Sequence, residues 1–199
     1  MSRSAITSRQ TLNLRQNKIT WSEYLSNANY IKSGFTSTTP GQGVNPFDGT
    51  ATMNAILCNV STGFHTMYPN NLQTLKPSGS YTVSAVMKAL TTDYGVLRLD
   101  TGSGECRVGY NLVTNALLAN QTDTANVSSQ STEIIDLGDG YKRIALTINL
   151  KQRPTIAGLA IYFTFGVANS AGAAFWTSLG TESILAGCIQ WEDRNKVGP

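Results

Sequence analysis

The chain has 199 residues, of which 41% are hydrophobic and only 14% charged, with a net charge of +3. That length fits one domain with a packed core. The small net charge gives no case for nucleic acid, and no apolar run suggests a signal peptide or membrane insertion.

In chain order, residues 1–18 come first. Arg3, Arg9, Arg15 and Lys18 precede the first acidic residue, Glu23. Two readings stand for this segment: an extended basic docking arm, or a flexible tail. The domain proper is expected over residues 19–195. Trp21, Tyr24 and Tyr30 supply aromatic anchors, and Ser22 favours a short helical turn. Thr36 to Gly43 reads as a polar loop. Asn45-Pro46-Phe47-Asp48-Gly49 reads as a turn.

Period-two patterning then takes over. Ala51 to Val60 predicts a strand, and Gly63 to Tyr68 a short one. In Tyr81 to Ala89, the residues Tyr81, Val83, Ala85, Met87 and Ala89 face inward. Tyr94 to Asp100 puts Leu97 and Leu99 on one face and Tyr94, Val96 and Arg98 on the other. Cys106, Val108, Tyr110 and Leu112 share a face of the next strand. Asn120 to Ser131 reads as a long polar loop.

Glu133 to Leu150 is the clearest stretch. Asp139-Gly140 is a hairpin signal, since tight hairpin turns need positive φ. After it, Ile144, Leu146, Ile148 and Leu150 alternate with Arg143, Ala145, Thr147 and Asn149. Leu159 to Val167 is a very apolar strand. Ala168 to Gly180 is rich in small residues around Phe175 and Trp176, and Ser183 to Glu192 closes the series. About eight to ten strands at this spacing predict an all-β, antiparallel, two-sheet jelly-roll β-sandwich.

Little in the sequence points to catalysis. His65 is the single histidine, and it reads as a structural one. Asp93, Asp100, Glu105 and Asp123 fall in turns and loops, where acids are solvated by default, so no catalytic residue is assigned and no enzyme is expected. Asp48 and Asp139 carry oxygens suited to calcium, but turn geometry accounts for both. No metal and no cofactor is therefore expected. Cys58, Cys106 and Cys188 are far apart and odd in number, which predicts reduced, buried thiols and assembly in a reducing cytoplasm.

Sugar recognition requires aromatic faces and planar polar groups. Tyr94, Arg98, Arg107, Tyr162 and Trp176 are the candidate glycan-binding residues. Tyr94 and Arg98 share a strand face, as do Glu105, Arg107 and Asn111 on the next strand, so pairing would collect them on one sheet surface. The alternative reading of that surface is a subunit contact or an ordinary solvated face.

Several pieces, in order, resemble one family. They are Trp21-Ser22-Glu23-Tyr24; Pro46-Phe47-Asp48-Gly49-Thr50-Ala51-Thr52; Gly79-Ser80-Tyr81-Thr82-Val83-Ser84 with Lys88-Ala89; Gly138-Asp139-Gly140-Tyr141-Lys142-Arg143-Ile144; and Ile189-Gln190-Trp191-Glu192. Together they are similar to a jelly-roll domain of bacteriophage tail-fibre and other virion proteins, which is itself like the carbohydrate-binding modules of glycan hydrolases. The chain departs from the pattern at Phe47, Lys142 and Trp191. The resemblance implies a virion structural protein, such as a fibre, decoration or tail-accessory subunit, assembled in the host cytoplasm. It also implies other virion proteins as partners and a homotrimer. The alternative it leaves open is a receptor-binding module for a host-surface polysaccharide.

Overall fold

The computed structural model describes residues 25–70, 73–74, 79–101, 104–151 and 160–193. The segment bearing Arg3, Arg9, Arg15 and Lys18 lies outside them, as do Trp21 and Tyr24. The described chain runs through β1 (Tyr30–Ser33), β2 (Phe35–Gly43), β3 (Met53–Cys58), β4 (Val60–Phe64), β5 (Thr66–Pro69), β6 (Gln73–Thr74), β7 (Ser80–Ala89) and β8 (Tyr94–Asp100). It continues through β9 (Glu105–Asn111), β10 (Leu117–Gln121), β11 (Val127–Asp136), β12 (Tyr141–Leu150), β13 (Ala160–Val167), β14 (Phe175–Leu179) and β15 (Ser183–Asp193).

One sheet has the order β1-β5-β13-β8-β9-β10, with β6 also on β13. The other has the order β11-β12-β7-β15-β3-β2. Every pairing is antiparallel. The chain crosses from one sheet to the other between β3 and β5, β7 and β8, β10 and β11, β12 and β13, and β13 and β15, whereas β8, β9 and β10 follow one another within one sheet, as β11 and β12 do within the other. The two antiparallel sheets pack face to face as a β-sandwich. A separate two-stranded ribbon, β4 with β14, hangs beside the first sheet.

The hairpin follows from its turn residues. Asp139 has φ 50° and Gly140 φ 78°, and the Tyr141 amide donates to the Gly138 carbonyl at 2.9 Å. Gly138 is also positive at φ 84°, and the Leu137 amide donates to the Tyr141 carbonyl at 2.9 Å, so the turn is a three-residue loop of residues that tolerate positive φ. β11 and β12 then stay in register from Asp136↔Lys142 to Ser129↔Asn149.

Ile144, Leu146 and Ile148 of β12 and Tyr81, Val83, Ala85 and Met87 of β7 face the core, as alternation predicts. Leu97 and Leu99 of β8, and Phe163, Phe165 and Val167 of β13, meet them from the other sheet. On β15 the alternation changes step. Ile184 and Ala186 face inward, but so do Ile189 and Trp191. A bulge between Gly187 and Gln190, with Cys188 at φ 50°, shifts the parity. An extra residue in one strand does this wherever it occurs.

Two expectations of loops are corrected. Thr36 to Gly43 belongs to β2, and much of Asn120 to Ser131 belongs to β10 and β11. Each is an edge strand in its sheet, one flank unpaired, so its side chains stay largely exposed and polar residues suffice.

The loop between β10 and β11 is pinned by Asp123, which is buried. Its carboxylate accepts from Thr101 Oγ1, from Asn126 Nδ2 and, at 3.0 Å, from the Ala125 amide. Burial opposes its charge, but those donors outweigh burial and hold its pKa below the ordinary carboxylate value. Because the folded pKa is depressed, the stabilisation exists above the unfolded pKa and is lost as pH falls through the folded one. Asp123→Ala should therefore cost about 2–3 kcal/mol near neutrality, by stranding buried donors. The deficit should shrink below about pH 4. Urea titrations of both proteins across pH check this; a deficit independent of pH would contradict it.

Candidate functional site

The outward face of the first sheet carries the chemistry. In the register of β8 and β9, Arg98 stands opposite Arg107, and Asp100 opposite Glu105. Like charges directly opposed repel. The side chains resolve this by pairing along and across the strands. Arg98 Nη2 donates to Asp100 Oδ2 at 2.8 Å, and Arg98 Nε donates to Glu105 Oε2. Arg107 Nη1 donates to Glu105 Oε1 at 2.9 Å. The result is a half-buried ion-pair network in which Arg98 and Glu105 each have two partners, unlike an isolated surface pair.

Next to it lies an open groove of about 450 Å³. Thr66 of β5 and Thr164 of β13 lie in it, both buried. Ile31, Lys32 and Ser33 of β1 line one side, and Tyr68 and Phe64 add aromatic walls. Arg98 and Asp100 complete the lining. The Arg98 guanidinium carbon sits 4.7 Å from the centroid of the Phe64 ring, within range of cation–π attraction. Only two of its five N–H donors are taken by carboxylates. Thr164 is 3% exposed, and its Oγ1 has no hydrogen-bond partner. A buried hydroxyl without a partner costs free energy unless a ligand or water supplies one.

The fold brings Arg98 and Arg107 together as pairing required. Tyr94 shares their sheet but is half-buried against Val96, Ala168 and Ala174. Tyr162 lies opposite Asp100 in the β13–β8 register; its side chain is outside the described part. Trp176 corrects the expectation of an exposed aromatic face. It takes the inner position on β14, packs against the main core and stands 4.9 Å from the His65 ring. Phe175 and Thr177 hold the outward positions, because successive side chains on a strand alternate. Thr164, Phe64 and Tyr68 were missed. Their strand positions were legible, but which neighbours they would meet depends on how β5 joins β13.

His65 is fully buried where β4 bends into β5. Burial lowers its pKa, against the upward pull of Glu182 and nearby backbone groups, so the ring is neutral at pH 7. Ser61 Oγ lies 3.4 Å from Nε2. Asp48 Oδ1 accepts from the Thr50 amide at 2.9 Å and from its hydroxyl at 2.7 Å, which ties it into its own turn. Among the described residues, no group of three or more His, Cys, Asp or Glu is placed to hold a metal.

Cys58, Cys106 and Cys188 are free and buried. Burial pushes the Cys58 thiol up to about 12 and the Cys106 thiol up to about 11. The thiolate is the reactive form. At pH 8 the native protein should thus react very slowly with a thiol reagent, and the unfolded protein should release three equivalents at once. Fast native labelling at Cys58 or Cys106 would contradict this burial.

No protein-family model matches the chain, and no curated protein does. Among solved structures, the chain is similar to an arabinose-bound GH51 α-L-arabinofuranosidase, MgGH51, at 12% identity and a TM-score of 0.44. The match covers 89% of this chain and spans about a quarter, 25%, of that one.

Proposed function

We propose that the chain is a non-enzymatic structural subunit of a bacteriophage particle, a fibre, decoration or tail-accessory protein that assembles as a homotrimer. One observation supports the reading: of the ordered motifs resembling virion jelly rolls, those from Pro46 onward fall on turns and core positions of the β-sandwich, and Trp21-Ser22-Glu23-Tyr24 lies outside the described residues. Pro46-Phe47-Asp48-Gly49 forms a turn in which the Gly49 amide donates to the Asn45 carbonyl at 2.9 Å. Gly138 to Tyr141 makes the β11–β12 turn, and Tyr81 meets Trp191 of the adjacent strand on the core face with ring centroids 6.3 Å apart. The basic segment with Arg3, Arg9, Arg15 and Lys18 is the docking arm in this reading. Deleting residues 1–18 should abolish incorporation into particles and leave the unfolding transition in place. Normal incorporation of the truncated chain would refute the docking role.

A second reading concerns what such a subunit meets outside the particle. The groove beside Arg98 suits a host-surface polysaccharide. What favours it is the unpartnered Thr164 hydroxyl, opposite an Arg98 whose guanidinium lies over the Phe64 ring. Sugar hydroxyls would satisfy both groups, and Tyr68 would border the ring. Arg98→Ala should weaken binding of host-envelope polysaccharide about tenfold or more. Thr164→Val, nearly equal in shape, should weaken it less and leave stability unchanged or improved. Isothermal titration decides; unaltered affinity in both variants would remove the reading.

A further inference from the structure

The β4–β14 ribbon has two unlike faces. Its inner face presents Ser61, Gly63, Trp176 and Ser178 toward the core side. Its outer face presents three opposed pairs: Phe64 with Phe175, Thr62 with Thr177, and Val60 with Leu179. Val60 is 78% exposed, Leu179 74% and Phe175 54%. Phe64 and Phe175 meet edge to face at 5.2 Å, and the two threonine hydroxyls lie 2.8 Å apart. None of the six carries a charge.

Apolar side chains this exposed on one small face call for an occupant. A second copy of the chain is a poor fit, because a stable interface takes about 20–30 residues a side and this strip has far fewer. The strip is instead continuous with the groove, since Phe64 belongs to both. Alternate residues along a strand are about 6.7 Å apart, so three rows extend the surface by about 13 Å, beyond one sugar ring. Apolar rows suit the C–H faces of sugars. A hydroxyl pair spends one donor on itself and keeps one donor and spare acceptors for a ligand.

We infer that the ribbon is the second half of the binding surface, and that its ligand is an extended, uncharged stretch of polysaccharide running from the groove onto Phe175, Thr177 and Leu179. This rests on the glycan reading of the groove. The subunit therefore recognises several consecutive units of a chain and not a single sugar.

The test uses the full chain and fragments of one, two, four and eight units, made by partial hydrolysis of host-envelope polysaccharide. Affinity should rise about tenfold or more from two units to eight. Phe175→Ser/Leu179→Ser should erase that rise and leave two-unit binding unchanged, whereas Arg98→Ala should weaken fragments of every length. If two-unit fragments bind and length adds nothing, this inference fails and the groove reading stands. If no fragment binds, the groove reading fails and takes this one with it. A native mass that drops in Phe175→Ser/Leu179→Ser would make the strip a subunit contact and overturn the inference.

Discussion

Gly166→Ala should cost about 4 kcal/mol or more and lower the melting temperature by roughly 10 °C or more. Gly166 lies in β13 opposite Thr66, where the chain has just bent at His65. A Cβ at Gly166 would stand 2.2 Å from the His65 carbonyl oxygen and 2.9 Å from the Thr66 Cα. Both are backbone atoms in paired strands, so neither can swing aside as a side-chain tip would. The Val167 amide also donates to that same carbonyl at 3.1 Å, so a shift would break a ladder bond. Gly63→Ala is the control, since nothing lies within 4 Å of a Cβ there. It should change stability by about 0.5 kcal/mol or less. Thermal and urea unfolding measure both. A Gly166→Ala protein melting within about 2 °C of the parent would contradict the close crossing of β5 and β13.

Trp191→Ala should cost about 3–5 kcal/mol. Trp191 is 1% exposed on β15, with its ring centroid 6.4 Å from Phe163 of the opposite sheet and 6.3 Å from Tyr81 of its own. Removing it opens a void between the two layers that large neighbours cannot collapse to fill. Trp191→Leu keeps part of the apolar contact and should cost less than the alanine variant. Urea denaturation with intact cooperativity checks the order. Equal losses for Leu and Ala would show that volume at this position does not matter.

How much of this was legible depends on which strands sit in the middle. β7, β8, β12 and β13 read clearly, because a strand buried on one face must alternate and its residues do. The β11–β12 turn read clearly because Asp139-Gly140 offers the backbone few other options. The edges did not read. Phe35 to Gly43 has no apolar stripe, since one flank faces no partner and its side chains stay wet. β15 read as a strand, but its parity did not. The bulge at Cys188 brings Ile189 and Trp191 to the core where strict alternation from Ile184 would turn them out. The candidate site was half legible. Arg98 and Arg107 follow from pairing neighbouring strands. Thr164, Phe64 and Phe175 do not, because β13 and β14 come to β5 and β4 from a distant part of the chain, and no local period encodes that approach.

The most direct test is the mass of the native assembly, measured for the isolated full chain and for its copies on purified, salt-washed particles. A trimer in solution, present on particles in multiples of three, is the predicted result. A monomer that is absent from washed particles would contradict the proposal that the chain is a particle subunit.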